Sequence, residues 1–129
     1  VRMRKETIIC LIIIIAIVGL DIMTQKYTKE TTKQITTTME SLKGEILAED
    51  KEKIEERTKE LDKNWTEKHD KLAYYIEHDE LEKVDTAIIN MKSYVETKEY
   101  PSAVANLDEG KFILEHIEDK NAFNLVNIF

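Results

Sequence analysis

Residues 8–46 read IICLIIIIAIVGLDIMTQKYTKETTKQITTTMESLKGEI, and the stretch changes character once, at Asp21. From Ile8 to Leu20 there is no charge and no polar face. Uniform hydrophobicity suits lipid or a buried core, not an amphipathic surface helix. These 13 residues reach about 20 Å, against about 30 Å of bilayer hydrocarbon. Extended from Thr7 to Met23, the segment reaches about 26 Å and spans with some local thinning. Residues 7–23 are therefore read as a transmembrane anchor contacting the lipid bilayer, with Asp21 at its outer interface. A cleaved signal peptide shares the basic start and short apolar core, but needs a small-x-small site that Ala16–Asp21 does not offer. Cys10 reads as one more apolar residue of the anchor.

Beyond Met23 the apolar residues become periodic. Ile35, Met39, Leu42 and Ile46 are spaced 4, 3, 4, which draws one stripe along a helix. The same spacing recurs in Ile54, Thr58, Leu61, Trp65, Lys68, Leu72 and Tyr75, with two polar interruptions. It recurs again in Leu81, Val84, Ile88, Met91 and Val95, and in Ala103, Leu107, Gly110, Leu114 and Ile117. Period-two alternation is absent. With 3 Gly and 1 Pro in 129 residues, the turns a sheet needs are missing. The expected fold is all-α: an N-terminal transmembrane helix continuing into an antiparallel four-helix up-down bundle.

The expected division is a basic N-terminus (1–6), the anchor (7–23) and an external bundle (24–129). Its helices are placed at about 24–47, 50–76, 80–98 and 101–119, with an apolar tail, 122–129, folding back on the bundle. Asp79 with Glu82 suggests a capping box for the third helix, and Pro101 suits the first position of the fourth. Connections this short make successive helices antiparallel neighbours. The 76–79 turn and the end of the fourth helix then face the membrane. The seven threonines between Thr24 and Thr38 read as a helix continuing from the membrane, with a stalk adapted to a partner or the cell wall as the other reading.

Arg2, Arg4 and Lys5 precede the anchor, so the N-terminus is placed in the cytoplasm and the C-terminal domain outside the cell membrane. The net charge of −7 argues against nucleic acid, which needs a basic face. One cysteine forms no internal disulfide and no four-cysteine zinc site. Gly19 has no small residue four positions away, at 15 or 23, so close-packed anchor dimerisation has no support. The oligomeric state stays open.

Three histidines are the obvious chemical groups. His69-Asp70 and His78-Asp79 repeat a dipeptide nine positions apart, on opposite helix faces. His78 and His116 share the membrane-facing end. With Glu77, Asp79, Glu115 or Asp119 they are weak candidates for a metal or proton site. The plainer reading is that His78 orders a turn and His116 sits near a helix C-terminus, where a cation is favoured. No catalytic residues, cofactor or firm metal ligand can be assigned. With no nucleophile, base and oxyanion set, an enzyme is not expected. His78, Asp79, His116, Phe123 and Phe129 mark a candidate interaction end. Asn64-Trp65-Thr66 matches a glycosylation acceptor, but on a helix with its Trp expected to be buried the match reads as accidental. Glu52, Glu55, Glu56 and Glu60 read as a solvated face.

The sequence resembles the domain of unknown function 4363 family. The resemblance rests on the anchor and long helix, the late Trp65, Tyr75-Ile76-Glu77-His78-Asp79-Glu80-Leu81, Leu114-Glu115-His116-Ile117 and the Asn-Leu-Val-Asn-Ile-Phe end. It implies a small single-pass protein of Gram-positive bacteria with an external helical domain and no assigned activity. It further implies an integral, multi-span membrane partner of YetF-like type. Glu118 stands where the family pattern has Pro. The expected function is a membrane-anchored extracytoplasmic interaction or accessory module. The alternative is a sensor-type bundle binding a small ligand between helices.

Overall fold

The computed structural model describes the backbone of residues 4–128 and the side chains of residues 4–122. Four helices follow in order: α1 (Lys5–Leu47), α2 (Lys51–Leu72), α3 (His78–Glu96) and α4 (Tyr100–Ile128). No strand occurs among the described residues. The helices form an antiparallel bundle on the outer part of α1, and the apolar part of α1 projects from one end of it. That end is called the anchor end here.

α1 runs 43 residues without a break, about 64 Å at 1.5 Å per residue. Between Ile8 and Met23 its large apolar side chains are exposed, Ile15 most of all at 70%. From Thr28 onward one face is buried by α2 and α4. The core contains Ile35, Met39, Leu42 and Ile46 of α1, Ile54, Leu61, Trp65 and Leu72 of α2, Leu81, Val84, Ile88 and Met91 of α3, and Ala103, Leu107, Leu114 and Ile117 of α4. Each fully buried Leu or Ile contributes about 1.5–3 kcal/mol relative to exposure. Five of the α1 threonines (Thr28, Thr31, Thr32, Thr36 and Thr38) are buried as well. Three of them, Thr28, Thr36 and Thr38, return their hydroxyl proton to a carbonyl one turn back. This satisfies the hydroxyl inside the helix and lets a threonine face pack.

The helix ends differ from those expected. α2 stops at Leu72, not 76. Tyr74 and Tyr75 close tight three-residue bonds to Lys71 and Leu72, which draw the chain out of the α-helical path. α3 starts at His78, and its N-cap is Glu77, which makes no side-chain cap bond. Asp79 is already inside the first turn, so the Asp79–Glu82 capping box does not form. Asp79 instead places negative charge near the helix N-terminus, where it is favoured. Asp50, with only Lys53 three residues on, is the side chain that caps, accepting from the Lys53 amide at 3.3 Å.

α4 begins at Tyr100, so Pro101 is its second residue. It does not end at 119 but continues to Ile128. Nothing between Glu118 and Ile128 is Gly or Pro, and no residue there forces the helix to stop. The stretch from residue 122 therefore extends α4 and is not a separate tail folded back on the bundle. The side chain of Phe123 and all of Phe129 lie outside the described residues.

At the far end, α1 and α3 close with the same device. Asp50 N–H bonds to Glu45 C=O and Glu49 N–H to Ile46 C=O; Glu99 N–H bonds to Tyr94 C=O and Lys98 N–H to Val95 C=O. Both are Schellman closures, and both put a non-glycine residue in the left-handed region: Glu49 at φ 54° and Lys98 at φ 61°.

Candidate functional site

Two places in the bundle gather polar groups from several helices. The first lies at the anchor end, where α1, the 73–77 turn and α4 meet. Leaving α2 early swings Tyr75 under the bundle, towards α1. Its hydroxyl lies 2.7 Å from Thr28 Oγ1 and 3.2 Å from the Thr24 carbonyl. Asn121 Nδ2 donates to Thr28 Oγ1 at 3.4 Å, and Gln25 Nε2 donates to the Asn121 carbonyl at 3.1 Å. Burial pushes the Tyr75 phenol above its ordinary value, partly opposed by its bond to Thr28. On the outside of the same end, the carboxylates of Glu77 and then Glu80 raise the Lys120 ammonium. Lys120 Nζ lies 3.4 Å from Glu77 and 3.6 Å from Glu80, tying α4 to the start of α3.

The expected residues of this end lie around that junction, not in it. His78 is exposed and its Nε2 lies 3.7 Å from Glu82 of its own helix. Asp79 and His116 are also exposed. The nearby cleft of about 80 Å³ is lined by Tyr75, Ile76, Glu77, Glu80, Ile117, Lys120 and Asn121; neither histidine lines it. Among the described residues no group of three or more His, Cys, Asp and Glu is arranged to hold a metal ion.

The second place is the seam between α2 and α3. It is the sparsest helix contact in the bundle, and polar bonds bridge it. Trp65 Nε1–H donates to Asp85 Oδ1 at 2.5 Å. The other Asp85 oxygen lies 3.3 Å from His69 Nε2, while His69 Nδ1 is 3.5 Å from Asp70. The His69 and Trp65 rings meet edge to face at 5.7 Å. Two turns further out, Lys92 pairs with Asp62 at 3.2 Å. Beyond that the seam opens into a groove of about 410 Å³, lined by residues that include Ile54, Thr58, Val95 and Tyr100 and rimmed by lysines. Thr58 Oγ1 is buried there with no hydrogen-bond partner among the described residues.

The sequence pairs His69 with Asp70; the structure gives His69 a second carboxylate, Asp85, from another helix. One signal did point that way. A buried Trp on a core stripe needs an acceptor for its indole N–H, and Asp85 follows the stripe residue Val84. Nothing local says which helix supplies that acceptor.

A family model described as "Domain of unknown function (DUF4363)" matches residues 22–128. No curated protein and no solved structure matches the chain.

Proposed function

The chain belongs to the domain of unknown function 4363 family, and from that premise we propose that it is a membrane-anchored helical interaction module. One observation carries the reading: α1 passes without a break from an exposed apolar stretch into the bundle core. A rigid helix of this kind fixes the bundle's height over a bilayer. Arg4 and Lys5 before the apolar stretch favour a cytoplasmic N-terminus and an extracytoplasmic bundle at the cell membrane of a Gram-positive bacterium. The anchor end, with His78, Asp79 and His116 exposed around the Tyr75–Thr28–Asn121 junction, is the surface facing a multi-span partner, which we take to be of YetF-like type. The module docks and does no chemistry of its own.

Crosslinking of the full-length protein in its native membrane, followed by pull-down, tests this. Recovery of one multi-span protein is expected, and loss of it in the His78→Ala/His116→Ala double variant would locate the docking surface. Absence of any reproducible integral partner overturns the reading. The α2–α3 groove, with the Thr58 hydroxyl inside it, favours a second reading as a ligand-binding sensor. A small-molecule thermal-shift screen that leaves Tm unchanged would remove it.

A further inference from the structure

The end of α4 lies lower than a water-facing helix has reason to go. Its register against α1 is set by three contacts: Lys43 with Asp108, Glu40 with Lys111, and Gln25 with Asn121. α4 continues as helix past Asn121 to Ile128. The two ion pairs extrapolate Ile128 to beside residue 23 of α1 and the Gln25–Asn121 bond to beside residue 18, so the end of α4 reaches the outer part of the apolar stretch. The burial pattern of α1 agrees. Val18 and Asp21, one turn apart, are partly covered, whereas the large apolar side chains before Val18 and those of Leu20, Ile22 and Met23 are exposed. Asp21 Oδ2 is buried with no hydrogen-bond partner among the described residues.

The sequence of the segment fits the same environment. Positions 121, 124 and 127 are all Asn, each set back about 60° from the one before around the helix. Asn121 is the member that meets α1. The other positions are Ala122, Phe123, Leu125, Val126 and Ile128, with no charge after Lys120. An uncharged and largely apolar continuation beyond the contact at Asn121 departs from the pattern of a surface helix in water, and suits a helix end that meets lipid.

We propose that the last two turns of α4 enter the outer leaflet beside the anchor, so that the uncharged segment after Lys120 lies against lipid. The bundle then meets the bilayer through a helix pair, which stops it rotating about a single anchor. Seven residues beyond Asn121 give at most about 10 Å of penetration, short of the midplane of a 30 Å core. The proposal rests on the reading that residues 7–23 cross the bilayer.

Full-length protein in phosphatidylcholine vesicles, with one environment-sensitive dye per chain on cysteine, tests both. The native Cys10 reports the anchor. In a Cys10→Ser background, Val126→Cys and Ile128→Cys report the end of α4, and Lys98→Cys reports the far turn. Blue-shifted emission quenched by nitroxide-bearing lipids at Cys10, Val126→Cys and Ile128→Cys, with Lys98→Cys quenched only by aqueous iodide, is the expected result. Lipid quenching at Cys10 together with iodide quenching at both α4 positions overturns the proposal and leaves the anchor intact. Iodide quenching at Cys10 itself overturns the anchor, and the proposal with it.

Discussion

The α1–α4 seam and the α2–α3 seam are built from the same spacing of apolar residues, yet one is closed and the other is held ajar. Along α1–α4 the tip of Met39 packs over Gly110, where an added Cβ would lie 3.1 Å from Met39 Cε. Lys43–Asp108 and Lys111–Glu40 flank the contact on its solvent side. Along α2–α3 the facing positions include Thr58, Asp62, Trp65, His69, Asp85 and Lys92, and the bridges are polar. A seam sealed by methyl and methylene groups closes as far as packing allows. One held by an indole, an imidazole and a carboxylate keeps the distance their hydrogen bonds require, and a groove remains above them. The α2 side, with fewer apolar contacts across its seam, is the side expected to open first.

Breaking the closed seam has the largest expected effect. Leu42→Ala removes a fully buried side chain and is expected to cost about 2–5 kcal/mol, seen as a lower urea midpoint for the whole domain. Asp85→Ala strikes the open seam. It strips the acceptor from the buried Trp65 N–H and the partner from His69, at about 1–3 kcal/mol. Hydrogen exchange should quicken in α2 well before α1 and α4; uniform quickening would show the two seams to be one cooperative unit.

Tyr75→Phe removes the hydroxyl that joins the turn to α1, for about 1 kcal/mol. It also has a pH signature. The folded-state value of Tyr75 is raised, so the native form holds its proton more tightly than the unfolded chain. Stability from this group is fully present below the ordinary value of 10.0 and is lost as pH rises beyond it. The Phe variant should lose less stability than wild type in a melt series carried from pH 9 to pH 11. The smallest change is a gain. Glu49→Gly and Lys98→Gly relieve left-handed backbone at the two far turns, worth up to about 1 kcal/mol each. Both should raise Tm without moving either seam.

The stripes were legible because each is a local pattern. Ile35, Met39, Leu42, Ile46, Ile54, Leu61, Leu72, Leu81, Val84, Ile88, Met91, Ala103, Leu107, Leu114 and Ile117 are all buried where the spacing put them. Helix ends were less legible. Asp79–Glu82 has the better capping sequence, but Asp50 is the residue that caps, because the Tyr74–Tyr75 turn fixes where α3 can begin. The terminal extension of α4 was misjudged for a similar reason. Eight residues rich in Phe, Leu, Val and Ile look like a segment seeking a core, whereas the backbone simply continues the helix as far as Ile128.

The sequence by itself determined that this chain is helical, that four stripes need partners and that one stretch is too uniformly apolar for a surface. Those properties follow from residues within a few turns of one another, where the 3.6-residue period acts directly. Only the tertiary structure decided that Asp85 stands between Trp65 and His69, that Tyr75 reaches Thr28 and that α4 runs down past Asn121 towards the anchor. These depend on which helix faces meet and at what register, and that is settled by packing across 16 to 96 positions of sequence, not by the pattern within any one helix.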